Sequence, residues 1–196
     1  LVSTKMAYDF QQTGSYITAN RTFVVFNAGV TYSYDPAKNT WTDLHPNGTP
    51  PPAGVSNTSM DYDSRNGKLY AFGGQTVYGP PSQYENDVYS YDVTSNTWTK
   101  LVPAGQAPSP RMKAGWSYDS TNNVFLLFGG ENDSIVNDTW VFDPAANGQQ
   151  GAWTQLSPAK SPPVGSSAPF ERMVYDRDHN AFVLVMSGEG GYADGT

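Results

Sequence analysis

The chain has no cysteine among its 196 residues, few basic residues and no long hydrophobic run. The absence of cysteine excludes disulfide bonds, thiolate metal ligands and cysteine nucleophiles. Only 11 residues are Lys or Arg against 18 Asp or Glu, so the net charge is −7 and no basic patch is available for a phosphate backbone. No apolar stretch approaches the roughly 18 residues of a membrane-spanning helix. We therefore expect neither a nucleic-acid partner nor a membrane span.

Turn-forming and aromatic residues are abundant instead. The chain contains 19 Gly and 15 Pro, and 14% of its residues are aromatic. Gly and Pro favour turns, whereas aromatic and β-branched residues favour strands. No segment sustains the 3.6-residue apolar period of an amphipathic helix. The composition predicts an all-β protein with many short strands.

A pattern of about 56 residues recurs along the chain. Each copy has an aromatic-Asp pair, an apolar run, a doublet of small residues, a second aromatic-Asp pair and a Trp. Tyr62 and Tyr118 are 56 residues apart, and Gly74 and Gly130 have the same separation. Independent markers at one period identify internal repeats, and a period of this length indicates a propeller or a solenoid.

Four copies can be distinguished. The first is the most divergent and begins at Tyr8-Asp9, and the fourth ends soon after Ser187-Gly188. We expect the repeats to span residues of about 1–45, 58–101, 114–156 and 171–196, with the last one incomplete.

Each copy contains four strand candidates. In the second copy, Asn66-Gly67 lies between apolar runs, which is a strong hairpin signal. The second strand is expected over Lys68 to Phe72, the third over Asp87 to Tyr91 and the fourth over Thr97 to Leu101. Each repeat is therefore predicted to be a four-stranded antiparallel meander, the unit of a propeller blade.

The repeat resembles one known family. Gly73-Gly74 and Gly129-Gly130 supply Gly doublets after the second strand, and six residues separate Tyr91 from Trp98. In these features the chain resembles the kelch-repeat β-propellers, including the central domain of galactose oxidase. The resemblance implies an all-β, kelch-type propeller of which about 3.5 blades are present.

Closed propellers usually have 4–8 blades. We therefore expect this chain to be part of a larger closed propeller, and to associate through its open edge or with the rest of that propeller. The repeated Trp and Tyr are expected to pack between blades and to bond backbone groups. The pairs Asn86-Asp87 and Asn137-Asp138 are expected to bond local backbone.

Strand alternation places the loops between second and third strands, together with the inter-blade links, on one face of the disc. The loops predicted there are long, such as Gln75 to Asn86, and long loops on a rigid scaffold usually carry binding. Aromatic rings stack on sugars, and carboxylates accept hydrogen bonds from hydroxyl groups. We expect a non-catalytic binding face for a glycan or protein ligand. The candidate ligand-binding residues are Tyr78, Tyr84, Glu85, Arg111, Glu131, Asp133, Glu189 and Tyr192.

The resemblance implies two alternatives. One is a carbohydrate-active enzyme, a sugar mutarotase or oxidase, with its site largely outside this segment. A copper-radical oxidase needs a Tyr cross-linked to Cys and imidazole ligands, whereas this chain has no Cys and only His45 and His179. The other alternative is an intracellular kelch adaptor. We predict no catalytic residue, metal site or cofactor within the sequence.

Glycosylation sequons favour secretion. Asn-x-Ser/Thr sequences are glycosylation acceptors in secreted proteins, so we expect an extracellular protein. The candidate glycosylation sites are Asn20, Asn47, Asn57 and Asn132, and a fifth sequon begins at Asn137.

Overall fold

The structure is a computed structural model that describes residues 13–27, 29–77, 79, 81–162 and 172–185. Within these ranges the regular elements are β-strands, apart from one short helix, α1 (Ala146–Gln149). No helix in the described part of the chain is long and apolar enough to cross a bilayer. The predicted all-β fold is confirmed.

The strands form one antiparallel sheet per repeat, and we call these sheets blades 1 to 4. Blade 1 contains β1 (Thr13–Ile17), β2 (Thr22–Asn27), β3 (Val30–Asp35) and β4 (Thr40–Asp43). Blade 2 contains β6 (Ser59–Asp63), β7 (Lys68–Val77), β8 (Gln83–Asp92) and β9 (Thr97–Lys100), and the short strand β5 (Asn47–Gly48) joins its outer edge. Blade 3 contains β10 (Gly115–Asp119), β11 (Val124–Glu131), β12 (Ile135–Asp143) and β13 (Ala152–Leu156). The described part of blade 4 contains β14 (Arg172–Asp176) and β15 (Ala181–Val185).

The first strands of neighbouring blades pack against one another. β1 contacts β6, β6 contacts β10 and β10 contacts β14. In β6, the carboxylate of Asp61 accepts hydrogen bonds from Ser15 Oγ of blade 1 (3.0 Å) and from the backbone amide of Tyr118 in blade 3 (2.9 Å). The blades therefore converge at their first strands, as they do around the axis of a propeller.

The aromatic-Asp pairs form the hairpin corners. At six corners the Asp carboxylate accepts a hydrogen bond from the backbone N–H two residues later, at 2.8–3.0 Å. The Tyr hydroxyl often reaches an Asn five residues on, as from Tyr91 to Asn96 (2.7 Å), and Asn96 has a φ of 50°. Asn tolerates this left-handed backbone, so the repeated Tyr-Asp pairs stabilise turns.

Apolar side chains fill the two interfaces between blades 1, 2 and 3. Ile17 and Phe26 of blade 1 pack against Tyr91 and Trp98 of blade 2. The interface between blades 2 and 3 is more aromatic, and the centroid of the Phe72 ring of blade 2 lies 5.3 Å from that of Trp153 of blade 3. In both interfaces the repeated Tyr or Phe and the Trp face the preceding blade.

Blade 1 departs from the predicted register. β1 pairs with β2 so that Tyr16 lies opposite Phe23, just as Tyr62 lies opposite Leu69 in blade 2. Tyr16 thus occupies the repeat position that the sequence pattern assigns to Tyr8, a residue outside the described ranges. The period alone misplaced this strand because the corner that follows Tyr16 has Ile instead of Asp.

Several polar partners of the repeated residues are distant in sequence. The prediction of a backbone partner was wrong for Trp98, and the prediction of local partners was wrong for Asn86 and for the Asp138–Arg111 contact. Trp98 Nε1 donates to Thr31 Oγ1 of blade 1 at 2.9 Å. Asn86 Nδ2 donates to the Pro108 carbonyl at 2.9 Å, and Asp138 accepts hydrogen bonds from an arginine 27 residues away. The physical reason is that these side chains lie at blade interfaces, where other segments supply the nearest donors and acceptors.

Candidate functional site on the second and third blades

The hairpin of blade 2 is longer than predicted. β7 and β8 have 10 residues each, whereas β2 and β3 have 6 each. The predicted loop from Gln75 to Asn86 is mostly strand, because Gln75 pairs with Tyr84 and Gly74 with Glu85. Exposed strands carry polar side chains, so this segment resembled a loop. We call the end of blades 2 and 3 formed by residues 75–77, 79, 81–86 and 131–137 the hairpin face.

Tyr84 and Asp133 join the two hairpins. Tyr84 Oη donates a hydrogen bond to Asp133 Oδ1 at 3.0 Å. Asp133 is exposed and Tyr84 is half-buried. Burial raises the pKa of the Tyr84 phenol, so the hydroxyl keeps its proton at neutral pH and acts as the donor. Two predicted ligand-binding residues, 49 positions apart, are thus in direct contact.

The link that precedes blade 3 holds the rest of this hairpin. Lys113 Nζ lies 3.0 Å from Glu131 Oε2, and both side chains are partly buried. Asn132 Nδ2 donates to Ser109 Oγ at 3.2 Å. Glu131 therefore contributes to the hairpin face as one half of an ion pair. Lys113 and Ser109 were not among the predicted ligand-binding residues.

Glu85 belongs to a separate polar group, because neighbouring residues of a strand point to opposite sides of a sheet. Asp87, two positions along β8, pairs with Lys100 at 2.6 Å, and the Lys100 ammonium lies 5.9 Å from the centroid of the Tyr89 ring. Burial raises the pKa of the Glu85 carboxyl, and the neighbouring Asp87 carboxylate raises it further. The two acidic residues at alternate positions, Glu85 and Asp87, are the sequence feature that could have identified this group.

Arg111 is fully buried, with a relative exposure of 0%. Its guanidinium binds both carboxylate oxygens of Asp138 and donates to the Gly129 carbonyl (2.9 Å) and to Ser109 Oγ (2.7 Å). The side chain is therefore bonded to blade 3 and is inaccessible to a ligand in this conformation. Of the predicted ligand-binding residues that the structure describes, Arg111 is thus one whose side chain cannot reach a ligand at the surface.

The main chain at Arg111 is bonded to blade 2. The Arg111 carbonyl accepts a hydrogen bond from the Gly74 amide, and the Arg111 amide donates to the Glu85 carbonyl, both at 2.9 Å. A Cβ at Gly73 would lie 2.4 Å from the same Arg111 carbonyl, so a Gly at this position permits the close approach. Arg111 thus links blade 2, through its main chain, to blade 3, through its side chain.

The remaining candidates fall outside the described residues, namely Tyr78, Glu189 and Tyr192. Of the described candidates, the structure brings Tyr84, Glu131 and Asp133 together on the hairpin face. It places Glu85 on the other side of β8.

The two histidines lie away from the hairpin face, His45 in the link between blades 1 and 2 and His179 in the turn between β14 and β15. His45 Nδ1 is 3.4 Å from Asp43, and His179 Nδ1 is 2.7 Å from Asp176, with both His side chains exposed. Among the described residues, no three His, Cys, Asp or Glu side chains form a group suited to a metal ion.

The sequons differ in accessibility. Asn20 and Asn47 are exposed. Asn57 and Asn132 are half-buried, and their amides donate to Met112 Sδ (3.6 Å) and to Ser109 Oγ (3.2 Å). Asn137, the start of the fifth sequon, is also exposed. Glycosylation stays a prediction at all of these sites.

Comparison with known proteins identifies the family. A family model described as the KLHDC2/KLHL20/DRC7 Kelch-repeats domain matches residues 21–184. The chain belongs to the kelch-repeat family. The resemblance based on the Gly doublets and on the spacing of Tyr and Trp is confirmed.

The curated kelch relatives are longer proteins. Host cell factor homolog hcf-1 of Caenorhabditis elegans is 24% identical over 174 residues, which are 82% of this chain and 21% of the relative. N-acetylneuraminate epimerase of Haemophilus influenzae (strain PittEE) is 36% identical over 94 residues, which are 47% of this chain and 24% of the relative. Human Kelch domain-containing protein 3 is 29% identical over 52% of this chain and 25% of its own length. The chain therefore spans a quarter or less of each of these three relatives.

A solved structure supports the same fold. The structure of YjhT matches with a TM-score of 0.62 at 20% sequence identity, covering 86% of this chain and 56% of that chain. At this identity the likeness concerns the fold alone.

Proposed function

We propose that this kelch segment is a non-catalytic interaction scaffold that binds its ligand at the hairpin face. The observation that carries the proposal is the hydrogen bond between Tyr84 and Asp133, which joins two blades into one surface. Tyr84 lies on a strand, so its position is well defined before a ligand arrives. Preorganised side chains lose less conformational entropy on binding. Kelch repeats are also typical of protein-interaction scaffolds.

The chemistry of the hairpin face favours a protein ligand that carries basic groups. Asp133 is exposed, and the net charge of −7 attracts positively charged partners over a distance. Tyrosine is enriched at protein interfaces because a large apolar ring carries a polar tip. The half-buried Tyr84 is the aromatic contact that we expect at the centre of such an interface.

A glycan is the second ligand class. The Tyr84 ring could stack on a sugar, and the carboxylates of Asp133 and Glu131 could accept hydrogen bonds from its hydroxyls. The similarity to proteins named N-acetylneuraminate epimerase supports this class, at 36% identity over 47% of the chain.

Array binding tests the proposal and separates the two ligand classes. The labelled chain would be applied to an array of basic and acidic peptides and to a glycan array, beside the Tyr84→Ala variant. We expect Tyr84→Ala to weaken binding about tenfold or more, as loss of a central aromatic contact does. Tyr16→Ala is the matched control, because Tyr16 is an exposed tyrosine of blade 1. Equal binding by both variants would exclude the hairpin face as the ligand-binding site.

A carbohydrate-active enzyme is the second candidate function, and the epimerase similarity is the observation that favours it. Its site would lie largely outside this segment. Proton NMR of freshly dissolved N-acetylneuraminate would follow conversion between anomers with and without the chain. Acceleration that disappears on heat denaturation of the chain would support the enzyme, whereas an unchanged rate would favour the binding scaffold.

We also propose that the protein is secreted, on the basis of the exposed sequons at Asn20 and Asn47. Expression through the secretory pathway of a eukaryotic cell, followed by intact-mass measurement, tests this. Glycan mass that is lost in the Asn20→Gln, Asn47→Gln double variant would support the proposal. An unmodified mass would argue against it.

A further inference from the structure

The chain contains three Asn-Gly pairs, at Asn47-Gly48, Asn66-Gly67 and Asn147-Gly148. In such a pair the Gly amide nitrogen can attack the carbonyl carbon of the Asn side chain, because Gly has no side chain to hinder the approach. The attack needs a Gly N–H that is not engaged elsewhere and an Asn side chain that is free to turn toward it. The structure meets these conditions to different degrees at the three pairs.

Asn66-Gly67 is held at a hairpin corner of blade 2. The Gly67 amide donates to the Asp63 carbonyl at 3.0 Å, so the attacking nitrogen is engaged. Asn66 Nδ2 donates to Asp63 Oδ2 at 2.7 Å, and the Asn66 amide donates to Asp63 Oδ1 at 3.2 Å. Asp63 is fully buried, so these acceptors are fixed in place. Both reacting groups of this pair are therefore restrained.

Asn147-Gly148 is restrained through its side chain. Asn147 Nδ2 donates to the Val102 carbonyl at 3.1 Å, which holds the side chain against the link between blades 2 and 3. Asn147 and Gly148 both have left-handed backbone, with φ values of 51° and 63°. The Asn147 carbonyl also accepts the Gln150 amide at 3.2 Å. The side-chain amide of this pair is thus engaged, as it is at Asn66.

Asn47-Gly48 has neither restraint. The amides of Asn47 and Thr49 donate to β9, at the Asn96 carbonyl (3.0 Å) and the Trp98 carbonyl (2.9 Å). Successive amides of a strand point in opposite directions, so the Gly48 amide between them points away from β9. β5 is the edge strand of its sheet, and Asn47 and Gly48 are both exposed. The Asn47 side chain has no hydrogen-bond partner among the described residues.

The fold does not require Asn at this position. Residues 101–105 (Leu-Val-Pro-Ala-Gly) follow the same pattern as residues 44–48 (Leu-His-Pro-Asn-Gly). Ala104 forms a parallel bridge with the outer strand of blade 3, as Asn47 does with that of blade 2. The Gly is required, since a Cβ at Gly48 would lie 2.0 Å from the Trp98 carbonyl oxygen. Ala is therefore a conservative substitute for Asn47, and the reactive pair can be removed without loss of the contact.

We propose that Asn47 is a site of spontaneous deamidation, and that the isoaspartate formed there releases residues 47–49 from β9. The Gly48 nitrogen forms a bond to Asn47 Cγ and loses its proton, while the Cγ–Nδ2 bond breaks and the amide leaves as ammonia. Water then opens the cyclic imide at either carbonyl carbon and gives aspartate or isoaspartate. The net reaction replaces –NH2 by –OH, consumes water and releases ammonia, with no oxidation or reduction.

Isoaspartate changes the main chain, which then continues through the former side chain and is longer by one carbon atom. The pairing with β9 depends on close spacing, because Gly48 has a φ of +85° and lies directly against the Trp98 carbonyl. A longer main chain moves the Thr49 amide away from that carbonyl. Modification of Asn47 therefore uncovers the outer strand of blade 2. The reaction does not involve the hairpin face, so the two proposals can fail independently.

Peptide mapping of the incubated chain tests the reaction. The chain is produced in the bacterial cytoplasm, where Asn47 stays unglycosylated, and is kept at mildly alkaline pH, where the Gly amide loses its proton more readily. We expect Asn47 to convert at least about tenfold faster than Asn66, because two hydrogen bonds at Asn66-Gly67 must break before the attack. Asn47→Ala, the matched control, should form much less of the acidic species on ion exchange. Conversion of Asn66 as fast as that of Asn47 in the folded chain would overturn the proposal.

The same mapping in urea separates the effect of structure from that of sequence. All three Asn residues are followed by Gly, so we expect similar rates in the unfolded chain. Unfolding should therefore accelerate the conversion of Asn66 and Asn147 much more than that of Asn47. Equal acceleration of Asn47 and Asn66 would show that the folded link protects Asn47, which would contradict the proposal.

Hydrogen exchange tests the release of residues 47–49. The isoaspartate form, isolated by ion exchange, is compared with the unmodified chain and with Asn47→Asp, which has the same charge on a normal main chain. We expect the Thr49 amide to exchange at least about fivefold faster in the isoaspartate form, since its hydrogen bond is lost. Asn47→Asp should behave like the unmodified chain. Unchanged protection of Thr49 in the isoaspartate form would overturn the release. Equal loss in Asn47→Asp would also overturn it, because charge alone would then account for the effect.

Discussion

The interface between blades 1 and 2 and the interface between blades 2 and 3 use the same repeat positions but different polar contacts. In the first, Trp98 Nε1 donates to Thr31 Oγ1 at 2.9 Å. In the second, Trp153 Nε1 is buried and has no acceptor within the described part of the chain. Val88 occupies the position equivalent to Thr31, because both lie opposite the last Phe of the second strand. The second interface has an ion pair between the buried Arg111 and the partly exposed Asp138 instead.

This difference shows which features every blade shares and which belong to one interface only. Both interfaces keep the aromatic volume and the hairpin corners, which are set by the repeat. The polar contact that fixes each pair of blades changes from a neutral hydrogen bond to an ion pair. A kelch blade can therefore exchange its polar contacts while its neighbours stay stacked, and each contact can be tested by itself.

Of the substitutions considered, Asp138→Ala should lower the free energy of unfolding the most. Arg111 is fully buried, so removal of its carboxylate partner leaves a charge without compensation. We expect the free energy of unfolding to fall by about 2–4 kcal/mol, somewhat below the loss for one half of a fully buried pair because Asp138 is partly exposed. Urea denaturation followed by tryptophan fluorescence measures it. The Arg111→Met, Asp138→Leu double variant is the control and should recover much of the loss. A loss below about 1 kcal/mol in Asp138→Ala would show that the pair does not hold the interface.

The pH dependence of the ion pair follows from the same contact. Burial by itself raises the pKa of Asp138, but hydrogen bonds from Arg111 and Trp140 outweigh this and hold the pKa below the ordinary 3.8. The stabilisation is therefore present above the unfolded-state pKa and is lost as the pH falls through the lowered folded-state pKa. The original chain should lose more stability between about pH 5 and pH 2 than Asp138→Asn does. Parallel pH profiles would contradict the assignment.

Thr31→Val should have an intermediate effect, confined to the first interface. The change keeps the shape of the side chain but leaves the indole N–H of Trp98 buried without its acceptor. We expect a loss of about 1–3 kcal/mol, the cost of a buried donor left unpaired. Thermal and urea denaturation measure the loss, with Thr42→Val on the exposed β4 strand as the matched control. Equal losses from the two variants would show that the hydrogen bond does not contribute.

Val88→Thr should have the smallest effect and the opposite sign. The new hydroxyl would lie between blades 2 and 3, at the position equivalent to that of Thr31 between blades 1 and 2. It would accept a hydrogen bond from Trp153 Nε1, as Thr31 does from Trp98 Nε1. We expect a gain of about 0.5–1 kcal/mol, or a rise in Tm of about 2–4 °C, as one new buried hydrogen bond replaces a methyl contact. Differential scanning calorimetry measures it. A fall in Tm would mean that the two interfaces are not geometrically equivalent at this position.

The hairpin corners could be predicted from the sequence because their contacts are local. Asp92 accepts the amides of Thr94 and Ser95, and Tyr91 reaches Asn96 five residues on. Such contacts recur in every copy of the pattern, so the period, the strands and the family could all be inferred. Blade 1 was the exception, since Ile17 replaces the corner Asp and the register was misplaced.

The candidate site could be predicted only in part, because its contacts join segments far apart in the sequence. Tyr84 and Asp133 were both selected, yet nothing in the sequence pairs residues 49 positions apart. Arg111 was selected for its charge, and its burial depends on Asp138 in another strand. Residues 75–86 were predicted to be a loop because they are polar, and a strand at the surface carries side chains similar to those of a loop. The full length of β7 and β8 was therefore missed.

NMR chemical-shift mapping with a ligand selected on the arrays tests the hairpin-face claim most directly. The account predicts that the perturbed backbone amides lie within residues 82–87 and 131–134, around Tyr84 and Asp133. Perturbations confined to the outer edge of blade 1, or spread evenly over all blades, would contradict it.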